Sequence, residues 1–176
     1  MHAMHVPPPS TLPAPESAAR GFTSIELLVT IAILAVLAGL AAPSFTPLIE
    51  RWRVRQAVEE LQSTFYFARS EAVKRGAATI TSGNCDAQDG GTNWSNGWMV
   101  CSTTTILQQS TAPSNVTIST ATKAEPIIID RWGQFPSDFA FRFHPSGKDS
   151  SHASAATLCV SKSGRIRRLD SGSDSC

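Results

Sequence analysis

A carboxylate sits at the mouth of an otherwise uncharged apolar run. Gly21-Phe22-Thr23-Ser24-Ile25-Glu26 leads directly into residues 27–42, which carry no charge. Burying an ionised carboxylate in hydrocarbon costs roughly 2.5–3.5 kcal/mol or more, so Glu26 needs a positively charged partner. A secretory signal is cut after its apolar region. Here the Gly21-Phe22 junction stands before that region, so a cut there leaves the apolar helix on the mature chain. A plain signal peptide or signal anchor would use Arg20 as its positive flank and Gly39-Leu40-Ala41 as a weak cleavage site. Neither has any use for Glu26.

These residues resemble the class III leader of type IV prepilins and of type II secretion pseudopilins. The resemblance implies cleavage after Gly21 by a prepilin peptidase/methylase and N-methylation of Phe22. It makes Glu26 the filament-assembly glutamate, neutralised by the amino group of a neighbouring subunit's Phe22. The run Leu27-Leu28-Val29-Thr30-Ile31-Ala32-Ile33-Leu34-Ala35-Val36-Leu37 continues the pattern, and Pro43 falls where the family carries a helix-kinking proline. Ser24 departs from it, since the family usually has Leu there. The resemblance further implies a single-pass inner-membrane protein with a periplasmic head, then a filament at the surface of a Gram-negative bacterium. Its partners would be other pilins, met through the N-terminal helix.

The expected organisation follows. Residues 1–21 are a leader, excluded from fold reasoning, with Pro7-Pro8-Pro9, Pro13 and Pro15 in it. Residues 22–47 form the membrane or filament-core half of a helix, residues 48–76 its amphipathic half, and residues 77–176 one modest head domain. The net charge of +1 means that anion binding must come from a local patch. Four cysteines in an exported domain indicate two disulfides. Of the three connectivities, Cys85 with Cys101 and Cys159 with Cys176 are the simplest. No CxxC and no paired His at ligand spacing supports a metal site, so no metal or other cofactor is expected.

From Val54 the apolar positions run Val54, Val58, Leu61, Phe65, Ala68, Ala72, one stripe of an amphipathic helix. Arg51, Arg55, Glu59 and Gln62 lie opposite, with Arg55/Glu59 and Glu71/Arg75 spaced as surface ion pairs. Lys74, Arg75 and Gly76 favour a helix end. One long helix over about residues 23–75, bent near Pro43 and Pro47, is therefore expected. Short strands follow at 77–82, 97–102, 105–109, 116–119, 126–130, around Phe139/Phe141/Phe143, at 156–161 and at 165–169, with a Gly/Asn/Asp-rich loop at 83–93. Lys162-Ser163-Gly164 reads as a hairpin turn. One long helix followed by many short strands predicts an α+β type IV pilin fold, the sheet packed on the helix. The helix end at 68–75 and the Trp94-x-x-Gly97-Trp98 patch also resemble the GspH/FimT family. The two indoles could stack bases. The simpler reading puts Trp98 in the core and Trp94 over a loop.

Ser163-Gly164-Arg165-Ile166-Arg167-Arg168-Leu169 carries the function. On a strand, Arg165 and Arg167 point the same way, about 6.6 Å apart. Ile166 points to the core, and Arg168 shares its face but lies near the strand end, where it can swing out. Lys162 sits just across the turn. Guanidinium forks at this spacing suit successive phosphate oxygens. The segment resembles the Gly-Arg-x-Arg motif of the FimT branch of the family. That resemblance implies DNA as partner, bound through its phosphate backbone by Arg165, Arg167, Arg168 and Lys162, in DNA uptake during natural transformation. A charged sheet edge needs fewer cations than this. The competing readings are a purely structural minor pilin that primes or caps a filament and a GspH-like pseudopilin of type II secretion. An enzyme finds no support: no nucleophile motif surrounds Asp138, or His144 and His152 in their Ser/Gly-rich loop. Ser146-Gly147-Lys148 would add a cation if that loop folds near the turn.

Overall fold

A computed structural model of the chain describes residues 21–82, 84, 85, 94–120, 126–170 and 176. Residues 1–20 of the leader expected at 1–21, and most of the loop expected at 83–93, lie outside these. The chain divides into two compact units at Ala42/Pro43. A single helix, α1 (Ser24–Arg75), runs through both and includes Pro43 and Pro47.

The first unit begins with an N-cap. The Glu26 amide donates to Thr23 Oγ1 at 3.3 Å, and Leu27 N to Thr23 O at 3.2 Å. Thr23-x-x-Glu26 thus has capping-box spacing, and the carboxylate lies in the first turn, where the helix dipole favours negative charge. Ser24–Ala41 is long and apolar enough to cross a membrane, and none of it is buried within the protein.

The second unit is built on the amphipathic half of α1. Val54, Ala57, Val58, Leu61, Thr64, Phe65, Ala68 and Ala72 are all buried, so the stripe read from the sequence faces a core. A buried Leu or Phe on this stripe contributes about 1.5–3 kcal/mol by leaving water. The helix stops at Gly76, whose φ of +91° suits a residue without a Cβ and whose N–H reaches Ala72 O at 2.8 Å. Glu71 bonds Lys74 Nζ at 2.8 Å and Arg75 Nε at 2.7 Å. These hydrogen bonds, Lys74 first, hold its carboxyl below the ordinary value of 4.5.

Eight strands follow: β1 (Ala77–Thr81), β2 (Trp98–Ser102), β3 (Thr105–Ser110), β4 (Val116–Thr120), β5 (Ile127–Asp130), β6 (Phe139–Pro145), β7 (Ala156–Val160) and β8 (Ile166–Asp170). They form two four-stranded sheets, ordered β3-β2-β1-β5 and β4-β6-β7-β8, every pairing antiparallel. The helix touches both. Phe65 packs at 5.5 Å on Phe135 and 5.6 Å on Phe141 of β6, while Thr64 Oγ1 accepts the indole N–H of Trp98 on β2 at 2.9 Å. Alternation along β6 buries Phe139, Phe141 and Phe143, as its sequence requires.

Two expectations are corrected here. Trp94 does not cover a loop: it sits in a 3-10 turn (Trp94–Asn96), fully buried, with its ring 5.0 Å from Phe141. Trp98 is buried too, so the tryptophan patch is core and offers no stacking platform. His144 belongs to β6, paired with Thr117, and not to the loop that holds His152.

Candidate nucleic-acid interface

The basic segment closes the second sheet. Ser161 N donates to Arg165 O at 2.9 Å and Gly164 N to Ser161 O at 2.8 Å. Three residues, Lys162-Ser163-Gly164, therefore turn the chain, with Gly164 at φ +86° as the left-handed residue of a type I turn plus bulge. Ser161 Oγ tightens the base by accepting from Arg165 N at 3.0 Å. Arg165 belongs to this turn, and the strand itself starts at Ile166.

Helix α1 fixes the turn from beneath. Arg69 Nε donates to Gly133 O at 2.9 Å and its Nη1 to Gly164 O at 3.1 Å. A Cβ on Gly164 would lie 2.6 Å from Arg69 Cζ, so the guanidinium fills the space that the missing side chain leaves. Phe135 N donates to Lys162 O at 3.0 Å and Lys162 N to Asp138 Oδ1 at 2.6 Å. Neither Arg69 nor Asp138 has a role at this place in the sequence reading. The one clue was an arginine beside the buried stripe at Ala68.

Register decides where the cations go. Cross-strand neighbours share a face. Arg167 pairs with Cys159, whereas Arg168 pairs with Leu158, a core residue, and Ile166 with Val160. Arg165 and Arg167 line one cleft of about 260 Å³ with Ser161, Ser163, Asp138 and the Cys159–Cys176 disulfide. Arg167 Nη2 reaches Cys176 O at 3.5 Å. Among the described residues no hydrogen bond or ion pair engages the Arg165 guanidinium or the Lys162 ammonium, and Lys162, Arg165 and Arg167 are exposed.

Arg168 leaves this group. It points to the helix side of the sheet, pairs with Asp170 at 3.4 Å, and lines a different groove with Arg51, Trp52 and Arg55 of α1. The swing outward expected of it is not what the register provides. The second disulfide joins Cys85 to Cys101, with Cα atoms 5.8 Å apart. His152 Nε2 approaches Glu50 at 3.9 Å, and neither it nor His144 lines the cleft beside the turn. Lys148 does not line that cleft either. Among the described residues no cluster of His, Cys, Asp and Glu could hold a metal ion.

Comparison with known proteins places this geometry in a family. The profile described as type II transport protein GspH matches residues 57–169, from the buried helix stripe to the last hairpin strand. Two crystal structures of the type IV minor pilin FimU of Pseudomonas aeruginosa PAO1 share the fold, at TM-scores of 0.52 and 0.55 and 23% and 22% identity. The alignments cover 68% and 70% of this chain and 94% and 92% of those chains. The minor pseudopilin EpsH of the Vibrio cholerae type 2 secretion system aligns at a TM-score of 0.50 and 10% identity, over 69% of this chain and 99% of its own. At these identities the structures show the fold alone. No curated protein sequence gives a significant match. A profile spanning well over half of the chain, on a helix-and-sheet head of the pilin type, shows that the protein belongs to the GspH family of minor pilins and pseudopilins.

Proposed function

We propose that this minor pilin binds DNA through the phosphate backbone, using Lys162, Arg165 and Arg167 on the final hairpin, in the uptake of DNA for natural transformation. The observation that carries the reading is the hairpin itself. Two guanidiniums share one face of a turn clamped by Arg69, Asp138 and the Cys159–Cys176 bond, and Arg165 is left without a partner among the described residues. A turn whose backbone is already ordered pays little backbone entropy on meeting a phosphate. Arg168, on the helix side, is not part of this contact. Asp138 in the same cleft tempers the field, which suits weak single-head binding strengthened by display of several heads.

The rest of the functional reading accompanies it. A prepilin peptidase/methylase cuts after Gly21 and methylates Phe22, the apolar half of α1 holds the subunit in the inner membrane, and Glu26 meets a neighbouring Phe22 amine during assembly. The Thr23 cap supports an exposed, correctly placed carboxylate at the helix start.

Fluorescence anisotropy of the head with labelled duplex tests the DNA assignment. Three phosphate contacts give a slope of log K against log salt of about −2.7. Arg165→Ala and Arg167→Ala should each weaken binding by about 1–3 kcal/mol and flatten that slope by about one unit. Arg168→Ala should leave it alone. Unchanged affinity in the Arg165/Arg167 double variant would sink the assignment. The second reading, a GspH-like pseudopilin or structural minor pilin that primes a filament, is favoured by the family profile. It expects no DNA affinity from the head.

A further inference from the structure

The groove that takes Arg168 has a composition of its own. Leu48, Arg51, Trp52 and Arg55 stand at i, i+3, i+4 and i+7 on one face of α1 and line it together with Arg168 and Asp170, enclosing about 500 Å³. Trp52 is 61% and Leu48 62% exposed, two large apolar side chains one helical turn apart on the same face. Arg55 reaches Glu59 only at 3.9 Å, and Arg168 is paired with Asp170. Among the described residues the Arg51 guanidinium has no hydrogen-bond or ion-pair partner. Three guanidiniums beside an exposed indole and an exposed leucine make an amphipathic anion site.

Its place in the sequence says which anion. The uncharged run from Leu27 to Ile49 is 23 residues long. At 1.5 Å per residue this spans about 34 Å, against a hydrocarbon core of about 30 Å. Glu50, Arg51 and Trp52 follow at once, so the groove opens where headgroups lie. Tryptophan settles at that boundary, and a long arginine side chain near a helix end reaches it by snorkelling. A membrane phosphate would meet Arg51, Arg55 and Arg168 while the adjoining acyl carbons lie along Leu48 and Trp52.

We propose that this groove holds the phosphate headgroup of an anionic phospholipid while the subunit resides in the membrane, before assembly. The inference rests on the proposed membrane role of the apolar helix and is independent of DNA binding.

The test uses the full chain in vesicles of phosphatidylethanolamine with or without phosphatidylglycerol. In a Trp132→Phe background Trp52 is the exposed indole, because Trp94 and Trp98 are buried. Brominated phosphatidylglycerol should quench it more strongly than brominated phosphatidylethanolamine. Each basic residue near an anionic surface is worth about a five-fold preference. Arg168 is already paired, so Arg51→Gln/Arg55→Gln/Arg168→Gln should lower the preference by about 25-fold, with its circular dichroism unchanged. Equal quenching by both lipids in a chain that floats with the vesicles overturns the proposal and leaves the membrane reading standing. A chain that floats with neither overturns both. Displacement of the lipid preference by a DNA oligonucleotide acting through these same arginines would reassign the groove to nucleic acid and also overturn it.

Discussion

Arg69 should matter more to the order of the final hairpin than any of the exposed cations on it, and the size of its effect follows from two hydrogen bonds. Its side chain reaches Gly133 O at 2.9 Å and Gly164 O at 3.1 Å. Hydrogen bonds from a charged donor contribute about 1.5–3 kcal/mol each. Arg69 is half-buried and covers Gly133 and Gly164, which are both buried beneath it, so removing its side chain opens their carbonyls to water and water replaces part of what Arg69→Ala removes. The lower end applies, about 2–3 kcal/mol for the pair. For a head of this size that corresponds to a fall in Tm of about 8–15 °C. Thermal unfolding of the head, whose core closes on itself between Val54 and Val160, reads this directly. Amide exchange locates it: Gly164 N–H, held by Ser161 O, should exchange faster relative to Val100 N–H in the buried strand β2. Arg69→Lys keeps the charge but loses the fork, so it should recover less than half of the loss. An unchanged Tm with unchanged exchange at Gly164 would refute the reasoning. Full rescue by lysine would show that charge, not the fork, sets the turn.

Two further outcomes follow from the same hairpin and from the helix end. Cys176→Ser opens the 17-residue separation closed by the Cys159–Cys176 bond and should cost about 3 kcal/mol in urea unfolding under oxidising conditions. Dithiothreitol should bring wild type towards the variant, because the effect belongs to the bond. Glu71 has a lowered folded pKa, so its contribution is complete above the unfolded value of 4.5 and disappears as pH falls through the folded pKa. The stability difference between wild type and Glu71→Gln should therefore be constant above about pH 5.5 and close at lower pH. A difference that widens on acidification would contradict the Lys74/Arg75 account.

Much of the fold is written in local periodicity. The stripe from Val54 to Ala72 is legible because helical spacing and burial say the same thing at every position. Strand positions from β1 to β8 are legible because turn residues punctuate them and β6 alternates aromatic with polar side chains. Trp94 was not legible. Its neighbours Asn93, Ser95 and Asn96 read as loop, but Ser95 Oγ accepts from Ile118 N at 2.9 Å and draws the short turn against β4. That contact joins residues 23 positions apart, which no local pattern encodes. His144 was misread for a related reason: the Ser/Gly-rich stretch after Pro145 hid a strand that runs to its proline.

The basic cluster divides along the same line between local and long-range information. Strand alternation alone separates Arg165 and Arg167 from Arg168. What lies on each side depends on register with β7, where Leu158 belongs to the core and Cys159 to the disulfide. A three-arginine run that looks like one patch in sequence becomes two sites. One is a turn cleft braced by Asp138, the other a groove shared with Arg51 and Trp52 from 117 and 116 residues earlier in the chain. Charge density along a strand is therefore a poor count of the phosphates it can hold. Only the residues of one face add to a single contact, and here that face carries Arg165 and Arg167, with Lys162 exposed on the adjoining turn.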